Sequence, residues 1–157
     1  EGRHEVTTEG GLDVLAQETR LRDVIARLAD AGIVTSVFID AELEQIEAAA
    51  RIGARVCEIH TGPYAHAFHA AGRDAEAPAV VDELDKIRIA GEAVRQLGMR
   101  FNAGHALNYY NVQPIAGLHG IRELHIGHSI VSRSVFVGLR EAVAEMKRLL
   151  REAALTA

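Results

Sequence analysis

Several ionisable side chains of this 157-residue chain stand at the ends of short β-rich runs. The run "RFNAGH" ends at His105, "VCEIHT" carries Glu58 and His60 two residues apart, and "TSVFID" ends at Asp40. A histidine with an unperturbed pKa near about 6.5 gives or takes a proton at neutral pH, and a carboxylate beside it accepts a proton or stabilises positive charge. The pattern indicates acid–base chemistry. The alternative is structural, with Glu58 bonded between strands and His105 bonded to backbone.

A possible phosphate site follows from the run "HIGHSIVSRSVFVGL". Gly127 and His128 end an apolar run there, and a serine-rich turn then enters a helix. Backbone N–H groups and a helix N-terminus hold a phosphate without needing a lysine. A plain strand-to-helix turn is the alternative. His66 and His69 in "YAHAFHA" have no acidic partner close by, so we expect them in a solvent-exposed loop rather than in a metal site.

Segments with helical periodicity alternate along the chain with short β-rich runs, and glycines such as Gly32, Gly53 and Gly98 mark the ends of three helices. A loop is expected over 62–78 and a short helical or irregular piece over 111–118. The predicted strands are 35–40, 55–61, 100–105 and 122–128, and the predicted helices are 15–32, 41–53, 80–98 and about 134–152.

Four strands that are each followed by a helix predict a parallel α/β sheet with right-handed crossovers. Glu58 and His60 share one face of their strand and Cys57 and Ile59 share the other, whereas a central strand of an open doubly wound sheet is apolar on both faces. One polar face near the strand ends favours a (β/α)8 barrel, in which functional groups gather at the C-terminal mouth. A barrel needs about 250 residues, so residues 1–157 are predicted to form about half of one barrel domain, the C-terminal half.

The composition excludes some classes of function. Seventeen basic and 22 acidic residues give a net charge of -5, which argues against nucleic-acid or anionic-membrane binding. Cys57 is the only cysteine, so no intramolecular disulfide forms, and a cytoplasmic location is expected. No apolar run approaches the roughly 20 residues that span a bilayer, and the opening "EGRHEVTTEGG" has no signal-peptide pattern.

Several ordered motifs resemble the pyridoxine 5'-phosphate synthase family of vitamin B6 biosynthesis: "EVTTEGGLDV", "SVFIDA", "EIHTG", "NAGHALNYYNV" and "IGHSIV". The resemblance covers nearly the whole chain. It implies a (β/α)8 barrel, a homo-octamer, and a reaction without metal or organic cofactor. That reaction joins 1-deoxy-D-xylulose 5-phosphate to 3-amino-2-oxopropyl phosphate and yields pyridoxine 5'-phosphate, phosphate and water.

The resemblance also implies roles for single residues. His105 would be the general acid, and Glu58 would stabilise the charged transition state. Thr7 would bind the deoxyxylulose phosphate. The aminoketone phosphate would be bound at three positions, the backbone of Ala106 together with Gly127 and His128.

The chain departs from the family pattern at two positions. Ala106 stands where the family commonly has glycine, which is tolerable if only its amide contacts phosphate and its φ is negative. His125 stands where the family has asparagine, and it should face the interior of the barrel if Leu124 and Ile126 pack on helices. His128 should then reach the pocket because Gly127 breaks the alternation of the strand.

The family chain begins with about four further strands that carry additional catalytic residues. We therefore expect that these 157 residues alone do not catalyse the condensation. Exposed sheet edges and an apolar inner face would favour pairing with another copy. Two alternatives stay open: a non-catalytic half-barrel module that binds phosphate esters or self-associates, and a metal-dependent hydrolase whose ligands would be Glu58, His60, His105 and His128.

Overall fold

The computed structural model describes residues 10–156. In that part of the chain, four strands alternate with helices, and a short 3-10 turn at Leu15–Gln17 precedes the first helix. The strands are β1 (Ser36–Ile39), β2 (Val56–His60), β3 (Arg100–Gly104) and β4 (Ile121–His125). The helices are α1 (Glu18–Asp30), α2 (Leu43–Arg51), α3 (Gly62–Ala70), α4 (Pro78–Gln96), α5 (Val112–Ala116), α6 (His128–Val137) and α7 (Leu139–Thr156).

The strands form one parallel sheet in the order β1-β2-β3-β4. The spatial order therefore follows the chain order, as in a segment of a (β/α)8 barrel, whereas a doubly wound sheet reverses its direction at a switch point. The register places Phe38 beside Glu58, Glu58 beside Asn102, and Asn102 beside Glu123. The C-terminal ends of all four strands consequently lie at one edge of the sheet.

The two faces of the sheet differ in chemistry, as the alternation predicted. Cys57, Ile59 and Phe101 are fully or almost fully buried in the core that the helices cover. The opposite face carries Glu58 and Asn102, which are in register with each other. Apolar burial on one face stabilises the sheet, and the other face is left to polar side chains.

Glycines end the helices where the sequence predicted. Gly32, Gly53 and Gly98 follow α1, α2 and α4 with φ of +74°, +86° and +79°, a region that glycine adopts without strain. Gly138, with φ of +83°, separates α6 from α7. The single last helix predicted from about residue 134 was therefore wrong, because the apolar spacing continues across a residue at which the backbone turns.

The loop predicted over 62–78 was also partly wrong, since residues 62–70 form α3. Pro63 stands in the first turn, where its missing N–H costs nothing, and Tyr64 and Phe68 are buried one helical turn apart. The sequence pattern did not predict this helix because Gly62 and Pro63, at its start, are typical of loops. None of the described helices combines the length and the apolar character needed to cross a bilayer.

Candidate active site

A cavity of about 500 Å³ opens at the C-terminal ends of the strands. Five of the six residues predicted for the site line it, and the sixth, Thr7, lies outside the described residues. Strand β2 supplies a carboxylate, the loop after β3 supplies an imidazole, and the start of α6 supplies backbone amides. The lining residues are Phe38, Glu58, His105, Ala106, Leu107, His125, Ile126, Gly127 and His128.

Glu58 is a largely buried carboxylate with an imidazole partner. Its side chain is 17% exposed, and its Oε2 atom lies 2.6 Å from Nδ1 of His125. This distance makes His125 the imidazole that contacts the Glu58 carboxylate most closely among the described residues. Gly104, beside His60 on the neighbouring strand, leaves room for this carboxylate, since a Cβ atom there would clash with Glu58 Oε1.

His125 faces the interior of the sheet, as expected, while Leu124 and Ile126 pack against the core. Its Nε2 atom lies 3.6 Å from Oε2 of Glu123, which also accepts a hydrogen bond of 3.1 Å from Nδ2 of Asn102. The histidine thus stands between two carboxylates. It supplies a donor at the position where an asparagine amide would supply one.

His105 and Ala106 form a sharp turn immediately after β3. Their φ values are +82° and +57°, so the condition of a negative φ at Ala106 is not met. The left-handed region costs an L-residue about 1–2 kcal/mol, whereas glycine, common here in the family, adopts it freely. Gly104 belongs to the strand and its φ is not positive, so the two residues after this glycine make the turn.

Side-chain hydrogen bonds hold this strained turn in place. The hydroxyl of Thr61 lies 2.7 Å from the carbonyl oxygen of Gly104 and 2.5 Å from that of His105. Nδ2 of Asn111 donates to the carbonyl oxygen of Ala106 at 3.3 Å, and the hydroxyl of Ser129 donates to that of Leu107 at 2.9 Å. A strained backbone persists where its surroundings over-determine it, and these contacts come from three different elements.

Tyr64 also holds the loop that follows β3. Its hydroxyl donates a 2.9 Å hydrogen bond to the carbonyl oxygen of Asn111, and the side chain is fully buried. Burial raises the pKa of the Tyr64 phenol to about 12, so the group remains a neutral donor at physiological pH. The loop that carries His105 is therefore tied to the core at Asn111, although Ala106 itself is exposed.

The structure separates the predicted pair Glu58 and His60. Both point to the same face of β2, but His60 is 7% exposed and its Nδ1 atom lies 2.8 Å from Oδ1 of Asp40. Glu58 instead lines the cavity together with His125. The two-residue spacing correctly predicted the shared face, but it did not determine which partner each side chain would contact.

The predicted phosphate site lies where a helix begins. Strand β4 ends at His125, earlier than predicted, and α6 starts at His128 with Gly127 as its N-cap residue. No side chain caps the first turn of α6. Gly127 and His128 line the cavity, so the positive end of the dipole of a ten-residue helix lies at its wall.

Other histidines lie away from this cavity. His66 and His69 are exposed, as expected, although they lie on a helix and not in a loop. His119 is exposed and its Nδ1 atom lies 2.7 Å from Nη1 of Arg95, and His4 lies outside the described residues. Among residues 10–156, no three histidine, cysteine or acidic side chains are grouped as a metal ion would require, so the ligand set of the hydrolase alternative is not assembled.

The two tyrosines of "NYYN" behave differently from each other. Tyr109 is partly buried, and its hydroxyl donates a 2.8 Å hydrogen bond to the carbonyl oxygen of Ala142. Tyr110 is 67% exposed, and the guanidinium carbon of Arg73 lies 4.2 Å from the centre of its ring. Both line a second cavity of about 480 Å³, on the α7 side of the loop, which Arg133 also lines.

Three residues that position the site were not predicted from the sequence. Thr61 ended the predicted strand 55–61 and Tyr64 lay in the predicted loop 62–78, so neither was assigned a role. Asn102 is 3% exposed and lies on the polar face. The alternation in "RFNAGH" held a signal for Asn102, because it places this residue in phase with Gly104.

Comparisons with known proteins identify the family of the chain. The family described as "Pyridoxal phosphate biosynthesis protein PdxJ" matches residues 1–152. The pyridoxine 5'-phosphate synthases of Aromatoleum aromaticum (strain DSM 19018 / LMG 30748 / EbN1) and Azoarcus sp. (strain BH72) are 85% and 84% identical over 154 residues, 98% of this chain and 61% and 62% of those proteins. That of Rhodopirellula baltica is 56% identical over 96% of the chain and 58% of its own length. The chain thus spans about three fifths of these relatives, and it belongs to the PdxJ family of TIM-barrel pyridoxal phosphate biosynthesis proteins.

Proposed function

We propose that this chain forms part of a pyridoxine 5'-phosphate synthase, a transferase. The reaction joins 1-deoxy-D-xylulose 5-phosphate to 3-amino-2-oxopropyl phosphate, closes the pyridine ring, and releases phosphate and water. The observation that carries the proposal is that Glu58, His105, Ala106, Gly127 and His128, far apart in the sequence, line one cavity. Relatives at 82–85% identity carry the name of this activity.

His105 and Glu58 have the chemistry that the ring closure needs. Loss of water and of phosphate requires a proton at the departing oxygen, and an imidazole at the cavity wall supplies one as a general acid. Imine and enamine steps develop positive charge on nitrogen. A carboxylate in a largely enclosed site stabilises that charge strongly, because the medium screens it less than water does. The close contact with His125 helps to position this carboxylate.

The phosphate of the aminoketone is proposed to bind at Ala106, Gly127 and His128. Positive φ values at His105 and Ala106 turn the backbone sharply at the cavity, and backbone amides in such turns can bind anions. The N-terminus of α6 lies beside this loop, where Ser129 bonds the carbonyl oxygen of Leu107, and adds its dipole there. Thr7 is proposed to bind the other phosphate ester.

We also propose that residues 1–157 supply about half of a (β/α)8 barrel. The sequential parallel order of the four strands supports this. The isolated chain is then expected to show no turnover, because a barrel mouth is built by loops from all eight strands.

A chimaeric enzyme tests the proposed function. The matching segment of the Aromatoleum aromaticum synthase, 85% identical over 154 residues, is replaced by this chain, and pyridoxine 5'-phosphate formation is measured. We expect turnover close to that of the parent enzyme. A chimaera that folds and binds phosphate but forms no product would refute the synthase proposal and favour the non-catalytic phosphate-binding module.

Variants of the chimaera test the individual roles. His105→Gln removes the proton donor and should lower kcat by about 100- to 10,000-fold. Glu58→Gln keeps the shape and removes the charge, and a loss of about 100-fold or more is expected. His66→Gln, exposed on α3, is the matched control and should leave kcat unchanged. Equal rates for all three variants would remove His105 and Glu58 from the mechanism.

Assembly into a homo-oligomer, an octamer in the family, is part of the proposal. Large apolar side chains on α6 and at the start of α7 support it: Val131, Val135, Phe136 and Leu139 are 61%, 79%, 83% and 61% exposed. Analytical ultracentrifugation of the chimaera should find a species much heavier than one chain, and a strictly monomeric active enzyme would contradict the expectation. A cytoplasmic location is proposed as well, supported by the single cysteine, Cys57, which is buried and unpaired.

A further inference from the structure

We propose that Asp40 and His60 are a positioning pair that fixes the direction of the His105 imidazole. The inference rests on the proposed role of His105 as general acid, and it extends that role to two residues that do not line the cavity. The pair is anchored on the first two strands of the sheet, while His105 follows the third. The carboxylate of Asp40 contacts the buried imidazole of His60, which in turn contacts the imidazole of His105.

Asp40 determines which nitrogen of His60 carries a proton. Nδ1 of His60 lies 2.8 Å from Oδ1 of Asp40, and the backbone N–H of Gly11 donates to the same oxygen at 3.2 Å. An ionised carboxylate accepts hydrogen bonds and donates none, so Nδ1 is the donor. The tautomer of His60 is therefore fixed by Oδ1 of Asp40, and the backbone N–H of Gly11 also holds that oxygen.

The second ring nitrogen of His60, Nε2, has neither the space nor the partner that would favour the other tautomer. His60 is 7% exposed, and its Nε2 atom is buried with no hydrogen-bond partner among the described residues. Gly62 lies directly against it, since a Cβ atom at Gly62 would clash with Nε2. A proton on Nε2 would have no acceptor, which costs free energy in a buried site. Both ring nitrogens of His60 thus favour one orientation.

The His60 ring meets His105 edge to face. Their ring centres are 4.9 Å apart with an interplanar angle of 70°, a preferred geometry for ring pairs. Phe38 closes the cluster, with its ring centre 5.1 Å from that of His60 and 6.2 Å from that of His105. Thr61, the residue after His60, holds the carbonyl oxygen of His105. The dipeptide 60–61 therefore contacts both the ring and the backbone of the proposed acid.

Control of the direction of the His105 ring has a direct catalytic consequence. A general acid works within about 2.6–3.2 Å of the atom that it protonates, and a misplacement of about 1 Å costs on the order of 100-fold in rate. The side-chain torsions of His105 also set the direction of its ring, and the edge-to-face contact with His60, which Asp40 holds, restricts them.

Nuclear magnetic resonance of the 15N-labelled chain tests the pair without any turnover. We expect His60 to show the pattern of an Nδ1-protonated ring, and Asp40→Ala to abolish that pattern and shift the ring signals of His105. Asp40→Asn keeps an acceptor oxygen and should restore both. His60→Phe keeps an aromatic edge against His105 but cannot bond Asp40, so it should shift the His105 signals as Asp40→Ala does. His66→Gln, exposed on α3, is the control and should shift neither.

The same variants in the chimaeric synthase connect position to rate. Asp40→Ala and His60→Phe should each lower kcat by about 10- to 100-fold with KM changed less than about twofold, and the double variant should lose no more than either single one. Unchanged His105 signals in both folded variants, or additive losses in kcat, would overturn the inference. Loss of all turnover in the unmodified chimaera, with the His105 signals responding as expected, would instead refute the proposed function alone.

Discussion

Gly104→Ala is the substitution for which the structure predicts the most specific consequence. The new methyl group would clash with Glu58 Oε1 and would lie 3.0 Å from both Cβ and the carbonyl oxygen of His125. The carboxylate of Glu58 can withdraw, but only by breaking its 2.6 Å contact with His125. The backbone of β4 can move only by disturbing its pairing with β3. The substitution should therefore destabilise the protein even though alanine fits the backbone conformation of a strand.

The size of the effect follows from these contacts. Inserting a methyl group into a closely packed site costs about 1–3 kcal/mol, which corresponds to a change of roughly 5- to 150-fold in the unfolding equilibrium constant, at about 1.4 kcal/mol per factor of ten. With an m-value of about 2 kcal/mol/M in urea, the urea concentration at the unfolding midpoint should fall by about 0.5–1.5 M. Circular dichroism during urea titration measures this midpoint.

Gly117→Ala provides a matched glycine control. Gly117 follows α5 with φ of -80° and ψ of -4°, and the nearest atom to an added Cβ would lie 3.6 Å away. Alanine fits there, so the free energy of unfolding should stay the same or rise by up to about 1 kcal/mol. The two substitutions are chemically identical and should change stability in opposite directions or by clearly different amounts.

A double-mutant cycle separates the clash with Glu58 from other costs. In a Glu58→Ala background the carboxylate is absent, so Gly104→Ala should cost at least about 1 kcal/mol less than it does in the parent chain. An equal cost in both backgrounds would refute the packing of Glu58 against Gly104. So would a Gly104→Ala variant as stable as Gly117→Ala.

Three further substitutions or reactions test separate parts of the site. Burial raises the pKa of the Cys57 thiol to about 12, so at pH 8 iodoacetamide should label the folded chain slowly and the urea-unfolded chain quickly, as read by mass spectrometry. Thr61→Val removes the hydroxyl that holds the turn and should cost about 1–3 kcal/mol in urea titrations, with displaced His105 amide signals. His125→Ala should cost about 1–2 kcal/mol by removing the imidazole that contacts the largely buried Glu58 carboxylate, whereas His125→Asn, which keeps a polar group there, should cost less.

Each of these expectations has an outcome that contradicts it. Rapid labelling of folded Cys57 would place that side chain away from the helical layer. Because its pKa is higher in the folded state, stability should also fall as pH rises above the pKa of the unfolded thiol, near about 8.5. Thr61→Ser keeps the hydroxyl, so displaced His105 signals in that variant would argue against the hydroxyl as the cause. Equal losses for His125→Asn and His125→Ala would mean that the polar group beside Glu58 is unimportant.

Strand polarity was the part of the fold most readily predicted from the sequence. The alternation around Glu58 and Cys57 indicated one polar and one apolar face, and the structure confirms the parallel four-stranded sheet that this implied. Periodicity is a local signal and depends little on distant residues. The same signal placed the helix ends at Gly53 and Gly98 correctly.

The errors arose where distant contacts override local preference. A negative φ at Ala106 is the ordinary expectation for alanine, yet Thr61 and Asn111 hold the turn in the left-handed region. His60 was paired with Glu58 by spacing, whereas the position of Asp40 on the neighbouring strand decided its partner. Such choices depend on which side chains meet across strands, and the sequence of one strand does not contain that information.

The central claim is that Ala106, Gly127 and His128 form the phosphate-binding wall of the cavity that Glu58 and His105 line. Titration of the 15N-labelled chain with pyridoxine 5'-phosphate, followed by the backbone amide signals, tests it most directly. The three amides should shift together with one saturation curve, while Arg133 in the second cavity does not respond. Saturable shifts centred on Arg133, with those three amides unmoved, would contradict the claim.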